Sequence, residues 1–150
     1  MDRTSHLSQA LSKAGYRLTP QRLAICKLLA QSNDHPTAQV IYEILKPDYP
    51  SLSLATVYNT LDSLVQLGAV NALGSAGDDA VHYDADTKPH VNLACISCHR
   101  VVDLHSEHIS HLEDEVTSSS GFQLLGARVL YYGVCPSCQM EERKVDYAQI

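Results

Sequence analysis

At 150 residues and a formal net charge of −6, the chain has room for one ordinary domain or two small ones. Hydrophobic content of 45% supports a folded core, no apolar run is long enough to span a membrane, and the opening MDRTSHLSQALSKAGYR is too polar for a secretory signal. A cytoplasmic protein with no membrane partner is therefore expected, and it carries its charge unevenly. Residues 1–30 hold Arg3, Lys13, Arg17, Arg22 and Lys27 against Asp2 alone, while Glu107, Glu113, Asp114, Glu115, Glu141, Glu142 and Asp146 load the far end. Segregation of this kind lets a basic face meet phosphates although the whole chain is acidic.

The first half reads as helical. Residues 6–14 form a short amphipathic segment, and Thr19-Pro20 supplies an N-cap and a first-turn proline for a helix to about Ala30. Thr37 opens a further helix with Val40, Ile41, Ile44 and Leu45 at core spacing. Ser53 caps the next, in which Leu54, Val57, Leu61, Leu64 and Val65 recur at helical period before Gly68 stops it. Two strand-like pieces follow, Ala69–Leu73 and Ala80–Asp84, around the turn residues Gly74 to Asp79. Helices followed by a two-stranded hairpin are the order of a winged helix-turn-helix.

After a linker-like DADTKP, strands are expected over Val91–Ala94 and Arg100–Leu104, a helix over Ile109–Ser118 and a long strand over Gln123–Val134. The fold class that results is α+β: a winged helix-turn-helix over 1–84, a hinge over 85–89 and a small α/β domain over 90–150. So small a sheet has exposed edges and little core, and dimerisation is the expected way to bury it.

The chemistry of the second half lies in two cysteine pairs, Cys95-x2-Cys98 and Cys135-x2-Cys138, separated by 36 residues. Four thiolates from two such knuckles make the closed tetrahedral cage that structural Zn²⁺ prefers. Disulfides do not suit a cytoplasmic chain. Neither pair opens a helix after a strand in a thioredoxin-like setting, which argues against a catalytic dithiol. In the first half, the helix after Ser53 turns Thr56, Asn59, Thr60 and Ser63 away from its apolar stripe, with Tyr58 at one flank. These side chains can enter a groove, and the amide of Asn59 can pair with adenine. Arg17, Arg22 and Lys27 are candidates for gripping phosphate, and Gln21 is a further DNA-binding candidate. Cys26 falls within the apolar pattern of its helix.

The segments GYRLTPQRLAIC, DHPTAQVIY, SLATVYNTLDSLVQLGAV, HYD, PHVNLACISCHRVVDLH and YYGVCPSC, in unbroken order, resemble the ferric uptake regulator superfamily over about residues 7–142. The resemblance implies a homodimeric, metal-responsive repressor of double-stranded operator DNA, not an enzyme, with a four-cysteine zinc staple. The Tyr58-Asn59 pair is closer to the peroxide-sensing branch than to the iron-uptake branch. Carried over from that branch, the regulatory Fe²⁺ or Mn²⁺ ligands would be His35, Asp84, His90, Asn92 and Asp103. Asn92 stands where the branch has a second histidine, and its neutral amide is a weaker ligand. A further metal site of iron-uptake members would fall on Pro89, Val91, Ser110 and Ala127, and is absent.

Two imidazoles, two carboxylates and an amide suit Fe²⁺ or Mn²⁺, whereas the thiolate cage draws zinc. With Fe²⁺ the resemblance implies oxidation of His35 or His90 by peroxide and release of DNA. The alternative within the same fold is an iron or zinc uptake regulator that responds to metal supply. His6, His82, His99, His105, His108 and His111 have no assigned role, although His108 and His111 stand at i,i+3 on one helix.

Overall fold

The computed structural model describes residues 2–74 and 77–141. Ser75 and Ala76 of the expected hairpin turn, and the acidic Glu142 and Asp146, lie outside the described residues. The chain divides into two compact units, Met1–Ser75 with Ala80–Thr87 and Ala76–Asp79 with Lys88–Ile150.

Four capped helices build the first unit. Helix α1 (Arg3–Lys13) starts earlier than its apolar pattern implies, because the Asp2 carboxylate accepts the Ser5 amide and caps it. Helix α2 (Pro20–Gln31) is capped by Thr19, α3 (Ala38–Leu45) by Thr37 and α4 (Leu54–Gln66) by Ser53, each hydroxyl accepting the amide three residues on. Gly68, at φ +71°, lets the chain leave α4 in the left-handed conformation that glycine adopts without penalty. Leu7, Leu11, Ile25, Leu29, Ile41, Val57, Leu61 and Leu64 interlock as the core. Strands β1 (Asn71–Leu73) and β2 (His82–Asp84) close the unit as an antiparallel wing in which Asn71 faces Asp84.

Two expectations need correction here. Val40 and Ile44 are 41% and 55% exposed, so they are not core. Helix α3 instead buries Ala38 and Ile41, with Tyr42 and Leu45 packed against the core. An eight-residue helix presents two adjacent stripes at i,i+3,i+4 spacing, and packing selects between them. Thr60 is buried, and its hydroxyl donates to the Thr56 carbonyl (2.9 Å), so it leaves the polar face of α4.

The second unit is a three-stranded sheet in the order β4-β3-β5. Strand β3 (Val91–Cys95) runs antiparallel to β4 (Val101–Leu104) and parallel to β5 (Val129–Gly133). Helix α5 (His108–Ser120) ends on Gly121, and a short α6 (Pro136–Met140), not foreseen in the sequence, follows β5. The expected strand over Gln123–Val134 shrinks to the five residues Val129–Gly133. Strand β3 begins at Val91, whose partner is Val129, so earlier residues find no ladder on that strand. Leu125 among them is 95% exposed. The unit's buried apolar residues, among those described, are Ala94, Cys95, Val101, Ile109 and Cys138, a small core for a sheet and a helix.

The stripe assignment is testable by urea unfolding of the full chain. Leu61→Ala, at a fully buried position, should cost about 2–5 kcal/mol. Ile44→Ala should cost less than about 1 kcal/mol. Equal losses would mean that α3 packs through its other face.

Candidate metal centres and nucleic-acid surface

The parallel pairing of β3 with β5 explains why cysteines 40 residues apart meet, since Cys95 is the register partner of Gly133 and both strands end together. Beyond Cys95 the chain turns tightly through His99, at φ +63°, whose amide returns to the Cys95 carbonyl (2.8 Å) and places Cys98 over the turn. Beyond Gly133, Cys135 is the N-cap of α6, Pro136 starts the helix, and one turn on Cys138 faces inward. The four sulfurs all lie within 4.8 Å of one another, with Cys98 and Cys135 3.8 Å apart. Zn–S bonds of about 2.3 Å in a tetrahedron give edges of about 3.8 Å, the separation of Cys98 and Cys135, so the cluster is of the size a zinc ion requires.

Protonation of the cage is divided. Burial opposes ionisation of Cys95, but the amides of Cys135, Cys98 and Ser97 donate to its sulfur and bring it down to about 6. At Cys138 the Ser97 hydroxyl favours the thiolate, yet burial and the sulfurs of Cys135, Cys98 and Cys95 push it up to about 12. Four thiolates at this spacing repel one another until a dication neutralises them, so metal uptake must release protons. Cys26, in the core of the first unit, is pushed up to about 11 by burial and is inert packing, in keeping with its apolar pattern.

The other expected ligands fall into two half-sites, one in each unit. In the first, His35 and Asp84 are both 3% exposed, and His35 Nδ1 stands 3.8 Å from Asp84 Oδ1. Asp84 Oδ1 also accepts the Asp86 amide (2.8 Å). His35 has φ +48°, a left-handed conformation that costs a non-glycine residue on the order of 1–3 kcal/mol and that proteins retain where function needs it. A residue the sequence left unassigned reaches its backbone. Buried His82 donates its Nδ1–H to the His35 carbonyl (2.8 Å), while β2 grips the next residues through Tyr83 N to Pro36 O (3.1 Å) and a bridge from His82 to Thr37. The sequence signal was the spacing of His82 and Asp84, which share a strand face at i,i+2.

In the second unit, Asn92 of β3 lies opposite Asp103 of β4, so their side chains share a sheet face. His90 stands just before β3. Its Nδ1–H donates to the Lys88 carbonyl (2.6 Å), leaving Nε2 as the basic nitrogen, 3.1 Å from Asp103 Oδ1. A backbone carbonyl on the far ring nitrogen is the usual way a metal-ligating imidazole is oriented. The His105 ring packs edge-on against His90, with centroids 5.5 Å apart. Asn92 is 2% exposed and donates Nδ2–H to the Val129 carbonyl (3.3 Å), while its Oδ1 is buried and accepts no hydrogen bond. An orphaned carbonyl oxygen beside a carboxylate and an oriented imidazole fits a divalent cation.

His108 and His111 are exposed on α5, with ring centroids 6.1 Å apart. They do not join a cluster of three or more metal-binding groups among the described residues.

The nucleic-acid candidates all belong to the first unit. An open groove of ≈ 550 Å³ is lined by Arg17, Thr19, Pro20, Gln21, Arg22, Tyr49, Ser51 and Thr56. Arg22 donates to the Arg17 carbonyl (2.6 Å) and lies over the Tyr16 ring, and Gln21 donates to Ser51 Oγ (2.9 Å). Tyr58 and Asn59 are exposed on α4, with Thr56 half-buried.

A winged helix followed in sequence by a four-thiol α+β unit is the architecture of a metal-binding transcription regulator. The chain belongs to the ferric uptake regulator family, whose family model matches residues 13–132. It is 38% identical over 132 residues to the peroxide-responsive repressor PerR of Staphylococcus epidermidis, covering 88% of this chain and 87% of that one. Among solved structures it resembles PerR from Streptococcus pyogenes, described for peroxide sensing and gene regulation, at 34% identity and TM-score 0.54 over 93% of this chain and 95% of that one. It also resembles the Vibrio cholerae ferric uptake regulator at 28% identity and TM-score 0.70, over 85% of this chain and 98% of that one.

Cys95→Ser or Cys138→Ser should abolish tight zinc binding, measured by metal analysis of purified protein, and lower the melting temperature with it. Zinc affinity of the wild type should fall as pH falls, because protons and metal compete for the same sulfurs. A zinc-free variant with unchanged melting would show that the cage is not structural.

Proposed function

We propose that this chain is a metal-dependent transcriptional repressor that senses peroxide, binding an inverted-repeat operator as a homodimer and releasing it when a metal-ligating histidine is oxidised. The donor set carries the reading. His35 and Asp84 come from one unit and His90, Asn92 and Asp103 from the other, and one Fe²⁺ or Mn²⁺ shared by all five would tie the DNA-reading half to the rest. A ligand shared in this way favours whichever arrangement of the units lets it bind, by as much as its affinity differs between arrangements. Zinc is directed elsewhere, to the four thiolates.

Fe²⁺ bound there would supply the electron that cleaves the O–O bond of peroxide, which Mn²⁺ does not readily do. The residues supply the rest. Asp84 and Asp103 offset the charge of the cation, and the weak amide of Asn92 leaves it less crowded than a third imidazole would. His35 and His90 present ring carbons at ligand distance from any oxidant formed. Oxidation of either ring removes a ligand, and with it the link between the halves.

Homodimerisation draws support from the second unit, where Leu112 and Val116 on α5 and Tyr131 and Tyr132 on β5 stay exposed around so small a core. Helix α4 would enter the major groove with Thr56, Tyr58 and Asn59, and Arg17, Gln21 and Arg22 would face the backbone.

Two measurements test this. Asn59→Ala should lose about 1–3 kcal/mol of base discrimination, whereas Arg22→Ala should weaken specific and scrambled DNA alike and flatten the salt slope by about one. Identical behaviour of the two variants would displace α4 as the reading element. With Fe²⁺ and low peroxide, mass spectrometry should find a gain of one oxygen atom on a peptide containing His35 or His90, together with lost DNA affinity; the Mn²⁺ form should bind DNA and stay unmodified. If both histidines stay intact while metal supply alone switches DNA binding, the protein is an iron or zinc uptake regulator.

A further inference from the structure

Strand β2 delivers two polar side chains to one face, His82 and Asp84, while Tyr83 between them turns into the helical core. Asp84 stands beside the His35 ring, and His82 reaches the His35 backbone. We propose that His82 is a positioning residue for the metal: its Nδ1–H, donated to the His35 carbonyl, holds His35 in its left-handed conformation and so aims the imidazole along Asp84. The inference rests on the sensor reading and adds the device by which a loop residue is kept ready to bind.

A left-handed histidine persists only where the surrounding structure over-determines its backbone. Here the bridge to Thr37 and the Tyr83–Pro36 hydrogen bond hold the C-terminal side of His35, and the His82 imidazole holds the carbonyl of His35 itself. The bond is buried, 2.8 Å long and spans 47 residues of sequence, so it is a tertiary clamp rather than local turn chemistry. The acceptor is a carbonyl, so Nδ1 must carry the proton and the ring is held as a donor at that atom. The strand that brings Asp84 to the metal thereby also sets the backbone of the histidine Asp84 must meet. Without the clamp, His35 should return to an ordinary backbone conformation and swing its ring off the shared axis, leaving His90, anchored independently by the Lys88 carbonyl, in place.

Asparagine and glutamine at position 82 separate donor geometry from general packing. The amide nitrogen of Asn is one bond from Cγ, as Nδ1 is, whereas that of Gln lies one bond further out. On zinc-loaded, full-length protein, Mn²⁺ affinity measured calorimetrically without peroxide should fall about ten-fold or more in His82→Leu and His82→Gln, and recover to near wild type in His82→Asn. With Fe²⁺ and peroxide, the oxidised fraction should move from the His35 peptide toward the His90 peptide in the Leu and Gln variants only. Equal Mn²⁺ affinity and an equal oxidation ratio in Asn and Gln variants would overturn the inference, whether or not His82→Leu folds. A wild-type protein that binds no Mn²⁺ beyond its zinc would overturn the sensor reading and the inference with it.

Discussion

The parallel register of β3 on β5 is the constraint on which the second unit depends. It sets Cys95 level with Gly133, so both strands end at one edge and both knuckles turn toward each other. Few apolar residues are buried there, and the cage stands in for the core that the unit lacks. Metal binding at such a site is folding free energy, because no unfolded chain presents four sulfurs within 4.8 Å. The same pairing brings the Val129 carbonyl to Asn92, where it accepts from the amide nitrogen and leaves the buried amide oxygen without a hydrogen-bond partner. Strand β3 thus contributes to the four-thiol cluster at one end and sets Asn92 opposite Asp103 at the other.

Separating the two metals is a matter of donor type. Sulfur at the knuckles suits zinc; the candidate half-sites offer imidazole, carboxylate and amide, which suit iron and manganese. Both candidate half-sites share a feature, a histidine positioned through a backbone hydrogen bond. His90 is aimed by its own hydrogen bond to the Lys88 carbonyl, and His35 by a hydrogen bond that its carbonyl accepts from His82. Orientation of this kind removes conformational freedom before the metal arrives, which is what a weak amide ligand requires if affinity is to be kept.

The first unit is organised differently, around a true core. Four helix caps, each a hydroxyl or carboxylate accepting an amide three residues on, fix where the helices begin. Packing of Leu61, Val57 and Leu64 then turns the other side of α4 outward. The basic residues gather at the start of α2, where Arg22 is braced by Tyr16 and the Arg17 carbonyl. Residues 1–30 carry five basic side chains against one acid, so an acidic chain still offers a cationic segment to a polyanion.

The sequence by itself determined what local chemistry controls. The caps at Thr19, Thr37 and Ser53, the stop at Gly68, the wing and the cysteine knuckles were legible because each depends on residues within a few positions of one another. His35, Asp84, His90, Asn92 and Asp103 could be nominated as ligands only through resemblance, since nothing local relates residues so far apart. Tertiary structure decided the rest. It buried Thr60 and exposed Val40 and Ile44, because helical period defines a stripe but not which of two neighbouring stripes meets the core. It shortened the strand before Cys135, because a strand exists only where a partner strand does. And it set His82 against the His35 carbonyl, since a hydrogen bond across 47 residues leaves no mark on the sequence beyond the i,i+2 spacing of His82 and Asp84 on one strand.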